Sequence, residues 1–348
     1  MVSNHRRSRR SRRRRRNRAL AVAGFVFVVL GLSLVLLYQL VLHDNASTPS
    51  SAKPSTSSST HTQTPTPTPT PTKTPTKTSN EVDKVMLIVL ENHSSTQIRS
   101  EAPRLTALAD KYGVAPNAVA PCGHPSLPNY VCLSAGGRYL SSDTVKTLSE
   151  PDIWNNTLSA GRTMKMYADG LPSAVGDRRK KIGKYAARHV FTVPFVATPT
   201  KQANFVRYTV NAQTLAADVT SGDLPNVGAL IPDQCHNAHD HCKNVAPTQI
   251  KQADNWIADQ VQVLQSGPDW KSGHLLIVVT ADEDDKKGAN DIPMIVIHPS
   301  LSHYSTDVPV SLFSVGALLA DVGHTPRLGK QATAPDFAKT FHLTVTPR

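Results

Sequence analysis

Two apolar runs in this chain end abruptly in oxygen-rich side chains. KVMLIVL, residues 84–90, runs into Glu91-Asn92-His93-Ser94, and HLLIVVT, residues 274–280, runs into Asp282-Glu283-Asp284-Asp285. Four consecutive acids repel one another unless a cation sits among them. Carboxylate and amide oxygens delivered from two strand ends suit a divalent metal ion. Taken alone, the acidic run reads as a solvated turn. Its place after an apolar strand, with a second oxygen-rich strand end in the same chain, favours the metal. Asn92-His93-Ser94 also fits the N-glycosylation pattern, which is common by chance.

A third cluster, PCGHPSLPNYVC at 121–132, sets Ser126 between two prolines with His124 close by. The prolines restrict the local backbone, and a fixed hydroxyl beside a metal can act as a nucleophile. The alternative is an ordinary Pro-rich loop. A fourth cluster, DQCHNAHDHC at 233–242, holds Asp233, His236, His239, Asp240 and His241 within nine residues. Metal ligation or phosphate contact explains that density, with a purely structural zinc site as the alternative. His303, in Ser302-His303-Tyr304-Ser305, follows a third apolar segment, IPMIVIH at 292–298. The basic run 177–181 reads as a solvated loop rather than a substrate funnel.

The elements that must position these groups alternate in type. The apolar runs at 84–90 and 274–280 read as buried parallel strands and 292–298 as a third. Helical patterns at 102–113 and 248–266 lie between them. Such alternation predicts an α/β domain with a largely parallel sheet. In such sheets ligands bind beyond the carboxyl ends of the strands, where the first two clusters fall.

The formal charge of +12 belongs elsewhere. Ten of the 38 Lys and Arg lie at 6–18 and three at 44–80, which also holds one of the 26 acids. Residues 81–348 therefore carry 25 of each sign, which excludes a broadly basic nucleic-acid-binding domain; no nucleic-acid partner is expected. Residues 19–42 carry no charge, and as a helix would span about 36 Å, enough to cross a bilayer. A cleaved signal peptide also fits a basic start and an apolar run, but its apolar core is shorter, so an uncleaved anchor is expected, with cleavage near Ala46 left open. The Arg residues place the N-terminus in the cytoplasm. Residues 44–80 hold 20 Ser or Thr and 7 Pro, too little apolar surface for a core, and read as an extended stalk. The expected order is an Arg-rich cytoplasmic tail at 1–18, a single transmembrane anchor at 19–42, a stalk at 43–80, and an extracellular catalytic domain at 81–348.

Together and in this order, VLENHS (89–94), HPSLPNY (124–130), CHNAHD (235–240), TADEDD (280–285) and SHYS (302–305) resemble the bacterial phosphoesterase family of acid phosphatases and phospholipase C-like enzymes. That family lies within the alkaline-phosphatase-like superfamily. The resemblance covers about 84–345 and implies a metal-dependent phosphate-ester hydrolase with an α/β/α sandwich and a largely parallel central sheet. It implies that Glu91 and Asn92 bind metal and phosphate, that Asp282 and Glu283 complete the metal site, and that Ser126 is the nucleophile. It places Asn129 on the phosphate, and His236, His239, Asp240 and His303 among further metal ligands or phosphate contacts; His124, close to Ser126 in the chain, is a further catalytic candidate. The ion could be Zn, Mg, Mn or Ca. Three departures bear on substrate preference: Ala281 stands where relatives often carry Trp, Asp233 and Asn237 exchange the commoner Asn and Asp, and the segment after His303 lacks the usual Arg.

The four cysteines suit an exported domain. Cys122–Cys132 and Cys235–Cys242 are the expected local disulfides, with thiols ligating zinc as the alternative. Two rival functions remain: a phosphodiesterase or phospholipase C, and a catalytically silent surface-binding domain on a stalk.

Overall fold

The computed structural model describes residues 79–243 and 246–347. The Arg-rich tail, the apolar run at 19–42 and the stalk up to residue 78 lie outside the described residues, and the expected anchor with them. Among the described residues no helix is long and apolar enough to cross a membrane.

Eight strands build the central sheet. In chain order they are β1 (Lys84–Leu90), β2 (Gly113–Val114), β3 (Met164–Ala168), β4 (Thr209–Asn211), β5 (Val227–Ile231), β6 (Leu275–Ala281), β7 (Met294–Ile297) and β8 (Tyr304–Ser305). Across the sheet the order is β8-β2-β7-β6-β1-β5-β3-β4. β1 lies between β6 and β5 and is parallel to both. Every residue of β5 and β6 is buried, and all of β1 after Lys84. Neighbouring residues on a strand face opposite ways, so both faces of the sheet must be covered; this is why these strands read as unbroken apolar runs.

The third apolar segment departs from its neighbours: β7 runs antiparallel to both β6 and β2. Its connection from β6, residues 282–293, contains no helix. A parallel return needs a crossover over one face of the sheet, usually through a helix, whereas a helix-free return brings the chain back antiparallel. The acidic run is that return.

Helices cover the sheet. α1 (Pro103–Lys111) packs with α3 (Gln249–Ser266), and α2 (Ser126–Ala135) with α4 (Leu312–Val322). In α3 the Thr248 side chain accepts the Lys251 N–H, and Ile250, Ala253, Ile257, Val261 and Leu264 form its buried stripe at spacings of three and four. A cap of that kind contributes about 1 kcal/mol, so the packed stripe holds the helix in place more than its end does. Gly316 lets α4 close on α2, since a Cβ there would lie 2.5 Å from the Leu133 carbonyl oxygen.

Both expected disulfides are present, Cys122–Cys132 and Cys235–Cys242, which leaves none of the four thiols free to ligate zinc.

Candidate active site

The β1–β6 register sets Leu90 beside Ala281. The next residue on each strand, Glu91 and Asp282, therefore emerges at the same carboxyl edge of the sheet. The Asp282 N–H donates to the Leu90 carbonyl at 3.1 Å, carrying the pairing one step past the strand.

Glu91 is fully buried and collects the first set of contacts. The Ser126 hydroxyl donates to its Oε2 at 2.8 Å, and the Tyr130 hydroxyl to its Oε1 at 3.0 Å. Ser126 and Tyr130 are four residues apart on α2, so one helix face carries both. Ser126 is the first residue of that helix, where free N–H groups create positive potential. Burial raises the Glu91 carboxyl well above its ordinary range, and the Asp282 charge adds to this. Arg188 and the two hydroxyl donors oppose it.

His189 lies with its Nε2 3.1 Å from Glu91 Oε1. Its proton can be placed by following Asn237. The His239 N–H donates to Asn237 Oδ1 at 2.9 Å, which fixes that amide. Asn237 Nδ2 then faces His189 Nδ1 at 3.3 Å and donates to it. In the neutral ring the proton then falls on Nε2, which is buried near Glu91 without a hydrogen bond. Burial pushes this imidazole well below its ordinary pKa, and the Arg188 charge adds to the shift.

The acidic run divides in two. Asp282 and Glu283 are buried beside Glu91. Asp282 Oδ1 accepts the Asn92 N–H at 3.1 Å, a donation made possible by the left-handed backbone at Asn92, φ 55°. Asn92 Nδ2 lies 3.4 Å from Glu91 Oε2. Burial, with the Glu283 charge, pushes Asp282 up to about 7. Burial and the charges of Glu91 and Asp143 push Glu283 up to about 8. Asn129 Nδ2 donates to Glu283 Oε2 at 3.2 Å. His124 spans the two halves, its Nδ1 3.1 Å from Glu283 Oε1 and its Nε2 3.2 Å from Asp284 Oδ1. Asp284 itself shapes the turn: its Oδ2 accepts the Gly288 and Asn290 N–H groups and its Oδ1 that of Lys286. Asp285 pairs with Lys287 at 2.8 Å at the surface, as a solvated turn would.

Glu91, Asp282 and Glu283 thus form a buried anionic cluster, and one of its oxygens, Asp282 Oδ2, is buried without a hydrogen-bond partner, as is the neighbouring Asn129 Oδ1. Buried oxygens are rarely left so, and three carboxylates this close do not all ionise unaided. Oxygen donors are the kind a hard divalent cation takes.

The His-rich segment serves neighbouring strand ends. His236 Nδ1 is 2.6 Å from Asp169 Oδ2 and 3.2 Å from Asp233 Oδ1, and its ring stacks on Trp256 at 4.9 Å. Asp169 follows β3 and Asp233 lies just past β5, so this group is displaced across the sheet from Glu91; its three side chains are close enough to share one ion. Burial works to lower the His236 pKa, but the hydrogen bond to Asp169 and the charges of Asp233 and Asp169 outweigh it, and the net shift is upward. His239 turns its Nδ1 to Asp240 Oδ1 at 2.7 Å and its Nε2 toward Arg188 Nη2 at 3.4 Å. Asp240 also pairs with Lys184 at 2.9 Å. Asn92, His93, His239, Asp284 and Lys286 line a cleft of about 370 Å³ at these strand ends.

His303 is not brought to the cluster. It precedes β8, four strands away from β1 in the sheet order, or roughly 19 Å at about 4.8 Å per strand. Its N–H donates to the Lys111 carbonyl, and its side chain lines a separate hollow with Arg99 and Asp110. The basic run 177–181 is partly structural: Arg178 donates to the carbonyls of Pro172 and Val206, and Lys180 pairs with Asp177.

Sequence reasoning gave no role to Tyr130, Asp143, Asp169, Arg188, His189 or Asn237. Tyr130 was legible as the residue one helical turn beyond Ser126. A lone Arg-His pair, on a single 3-10 turn at Ala187–His189, carried no such signal.

A sequence profile described as the Phosphoesterase family matches residues 95–288. Over 257 residues the chain is 31% identical to a phosphatidylinositol-3-phosphatase of Mycobacterium tuberculosis (strain ATCC 25618 / H37Rv), covering 72% of this chain and 80% of that protein. Among solved structures, an alkaline phosphatase superfamily protein from Vibrio parahaemolyticus superposes with a TM-score of 0.48 at 14% identity, over 74% of this chain and 72% of the other. The lipoteichoic acid synthase LtaP from Listeria monocytogenes gives 0.46 at 9% identity, over 76% and 79%.

Proposed function

This chain belongs to the Phosphoesterase family and is a phosphoric ester hydrolase, and from that premise we propose that it is a metal-dependent phosphatase in which Ser126 attacks phosphorus. The observation that carries the proposal is the 2.8 Å hydrogen bond from the Ser126 hydroxyl to the buried Glu91 carboxylate at the start of α2. Hydroxyl, proton acceptor and helix N-terminus meet at one point, which in-line displacement requires.

Held by Glu91, Asp282 and Glu283, a divalent ion would neutralise phosphoryl charge and lower the pKa of the attacking hydroxyl. The chain's own groups do the rest. As Ser126 Oγ bonds to phosphorus and the bond to the alcohol breaks, the hydroxyl proton leaves along its hydrogen bond to Glu91. Tyr130 keeps Glu91 from turning away. Asn129, anchored by donation to the Gly123 carbonyl at 2.5 Å, holds Glu283 in place. His124, partly exposed beside Glu283, is placed to give a proton to the departing alcohol. Water then displaces Ser126 from the phosphoserine, releasing phosphate and restoring the hydroxyl.

The name of the Mycobacterium relative favours a phosphomonoester on a lipid headgroup as substrate. The uncharged run 19–42 with Arg on its N-terminal side supports a single-pass anchor, with a cytoplasmic tail at 1–18, a stalk at 43–80 and the catalytic domain at 81–348 outside the membrane.

The test is hydrolysis of aryl phosphate monoesters and diesters by the full chain, with and without chelator. Chelator-sensitive monoester turnover is expected, and Ser126→Ala should lower it at least a thousandfold, roughly the loss seen when a covalent nucleophile is removed. Divalent ions should still raise the melting temperature of that variant. Full turnover by Ser126→Ala would sink the nucleophile, and diester-only turnover would replace the phosphatase reading with a phosphodiesterase.

A further inference from the structure

The carboxylate of Asp143 makes two contacts that resemble those of a bound anion. Its Oδ1 accepts the Leu127 N–H at 3.0 Å, the backbone donor directly after Ser126 in the first turn of α2. Its Oδ2 lies 3.8 Å from Arg188 Nε. That Nε is buried and has no hydrogen-bond partner. The Arg188 side chain as a whole is 18% exposed, while Asp143, on a segment without regular structure, is 42% exposed. Arg188 Nη2 faces the His239 ring at 3.4 Å, and among the described residues no carboxylate meets the guanidinium bidentately.

An Arg side chain with its Nε buried ordinarily takes a planar pair of oxygens in its fork. Here the fork is met at long range, by a half-exposed side chain that also caps the helix carrying the nucleophile. Two oxygens on one atom, one on a helix N–H and one toward a guanidinium, is the arrangement a phosphoryl group makes at such a site. The Asp143 side chain, 42% exposed, can turn out to solvent by giving up its hydrogen bond from the Leu127 N–H.

We propose that Arg188 and the Leu127 N–H form the clamp for the substrate's phosphoryl oxygens, and that Asp143 occupies this clamp until the substrate displaces it. Arg188 thereby holds the phosphorus beside Ser126 Oγ, and Asp143 acts as a competing anion that weakens the binding of free phosphate. This rests on Ser126 being the group that faces phosphorus, but its test reads anion binding rather than turnover.

The probe is inorganic phosphate, titrated calorimetrically into the full chain. Asp143→Asn removes the competing charge and keeps a hydrogen-bond acceptor for Leu127; phosphate affinity should rise about tenfold. Arg188→Gln should lower it by about tenfold or more. In the double variant the gain from Asp143→Asn should vanish, because that gain comes from freeing Arg188. The same titrations in a Ser126→Ala background should give the same pattern, which separates the clamp from the nucleophile. Wild-type or weaker phosphate binding by Asp143→Asn overturns the proposal, as does wild-type binding by Arg188→Gln. If Arg188→Gln loses its cooperative melt, Asp143→Asn decides alone: a gain supports the clamp and its absence refutes it.

Discussion

Asp282 and Glu283 show how single residues trade stability for a site. Their carboxyls sit at about 7 and about 8, against ordinary values of 3.8 and 4.5. Between about pH 4 and pH 8 the folded protein therefore holds protons that the unfolded chain has released. Stability must fall as pH rises through that window, because the folded state binds more protons there. The penalty is absent below about pH 4 and complete above about 8. A divalent ion removes it by supplying the missing positive charge, whereas at pH 5 it must first displace protons. In chelator, the melting temperature of the wild type is expected to fall from pH 5 to pH 8, and Asp282→Asn to flatten that slope. Added Mg, Mn, Ca or Zn should raise the wild-type melting temperature more at pH 8 than at pH 5. Melting that is flat with pH in chelator, and unmoved by any of these ions, would remove the case for a metal at Glu91, Asp282 and Glu283.

The loop and helix that carry Ser126 form one element tied at both ends. Cys122 opens the loop and Cys132 lies within α2, ten residues on. Closing a loop of that length stabilises a fold by roughly 2–3 kcal/mol through the unfolded chain. Cys122→Ser with Cys132→Ser is expected to lower the melting temperature by several degrees and to reduce monoester turnover more than the paired change at Cys235 and Cys242. The first bridge holds His124 and Ser126 against Glu283 and Glu91, while the second brackets His236 and His239, further across the sheet. Equal turnover losses in the two pairs, measured well below both melting temperatures, would show that the first bridge has no special hold on the site. At this scale much was legible in the sequence. The runs at 84–90 and 274–280 became β1 and β6 almost residue for residue, because a strand buried on both faces must be apolar throughout. The direction of β7 was not legible, since an apolar run has no sense of direction and only its helix-free connection imposes one. Ser126 and Glu91 stood at recognisable chain positions. Arg188 and His189 did not, because they enter the cluster from a single 3-10 turn whose approach depends on the sheet order, and nothing local to residues 188 and 189 encodes that. His303 failed for the converse reason: it shares a motif order with the cluster but sits at the far side of the sheet.

At the scale of the whole chain, charge and hydrophobicity are segregated. The catalytic region carries 25 residues of each sign, so it has no net field to draw the protein to an anionic membrane. If the substrate is a lipid phosphate, something other than overall charge must bring the site to it. Residues 19–42 supply that means under the anchored reading: 24 uncharged residues flanked by ten Arg, with a Pro- and Thr-rich spacer before the enzyme. The spacer sets reach as well as distance. A Pro-rich extended chain rises about 3.1 Å per residue, so residues 44–80 could span roughly 110 Å, far enough for the site to turn back to its own bilayer. The full chain is therefore expected to remain with membranes through alkaline and high-salt washes, which strip proteins held by charge alone. Replacing Leu30 and Leu32 by Arg should release it, because each charge at a span's centre costs about 2.5–3.5 kcal/mol. On vesicles bearing a phosphorylated lipid, the released variant should lose turnover, while its turnover of a soluble aryl phosphate stays unchanged. Release by salt alone would leave the Arg tail, and not the apolar run, as what holds the chain to the bilayer. Release of a wild-type product shortened to about residue 46 would instead identify the run as a cleaved leader.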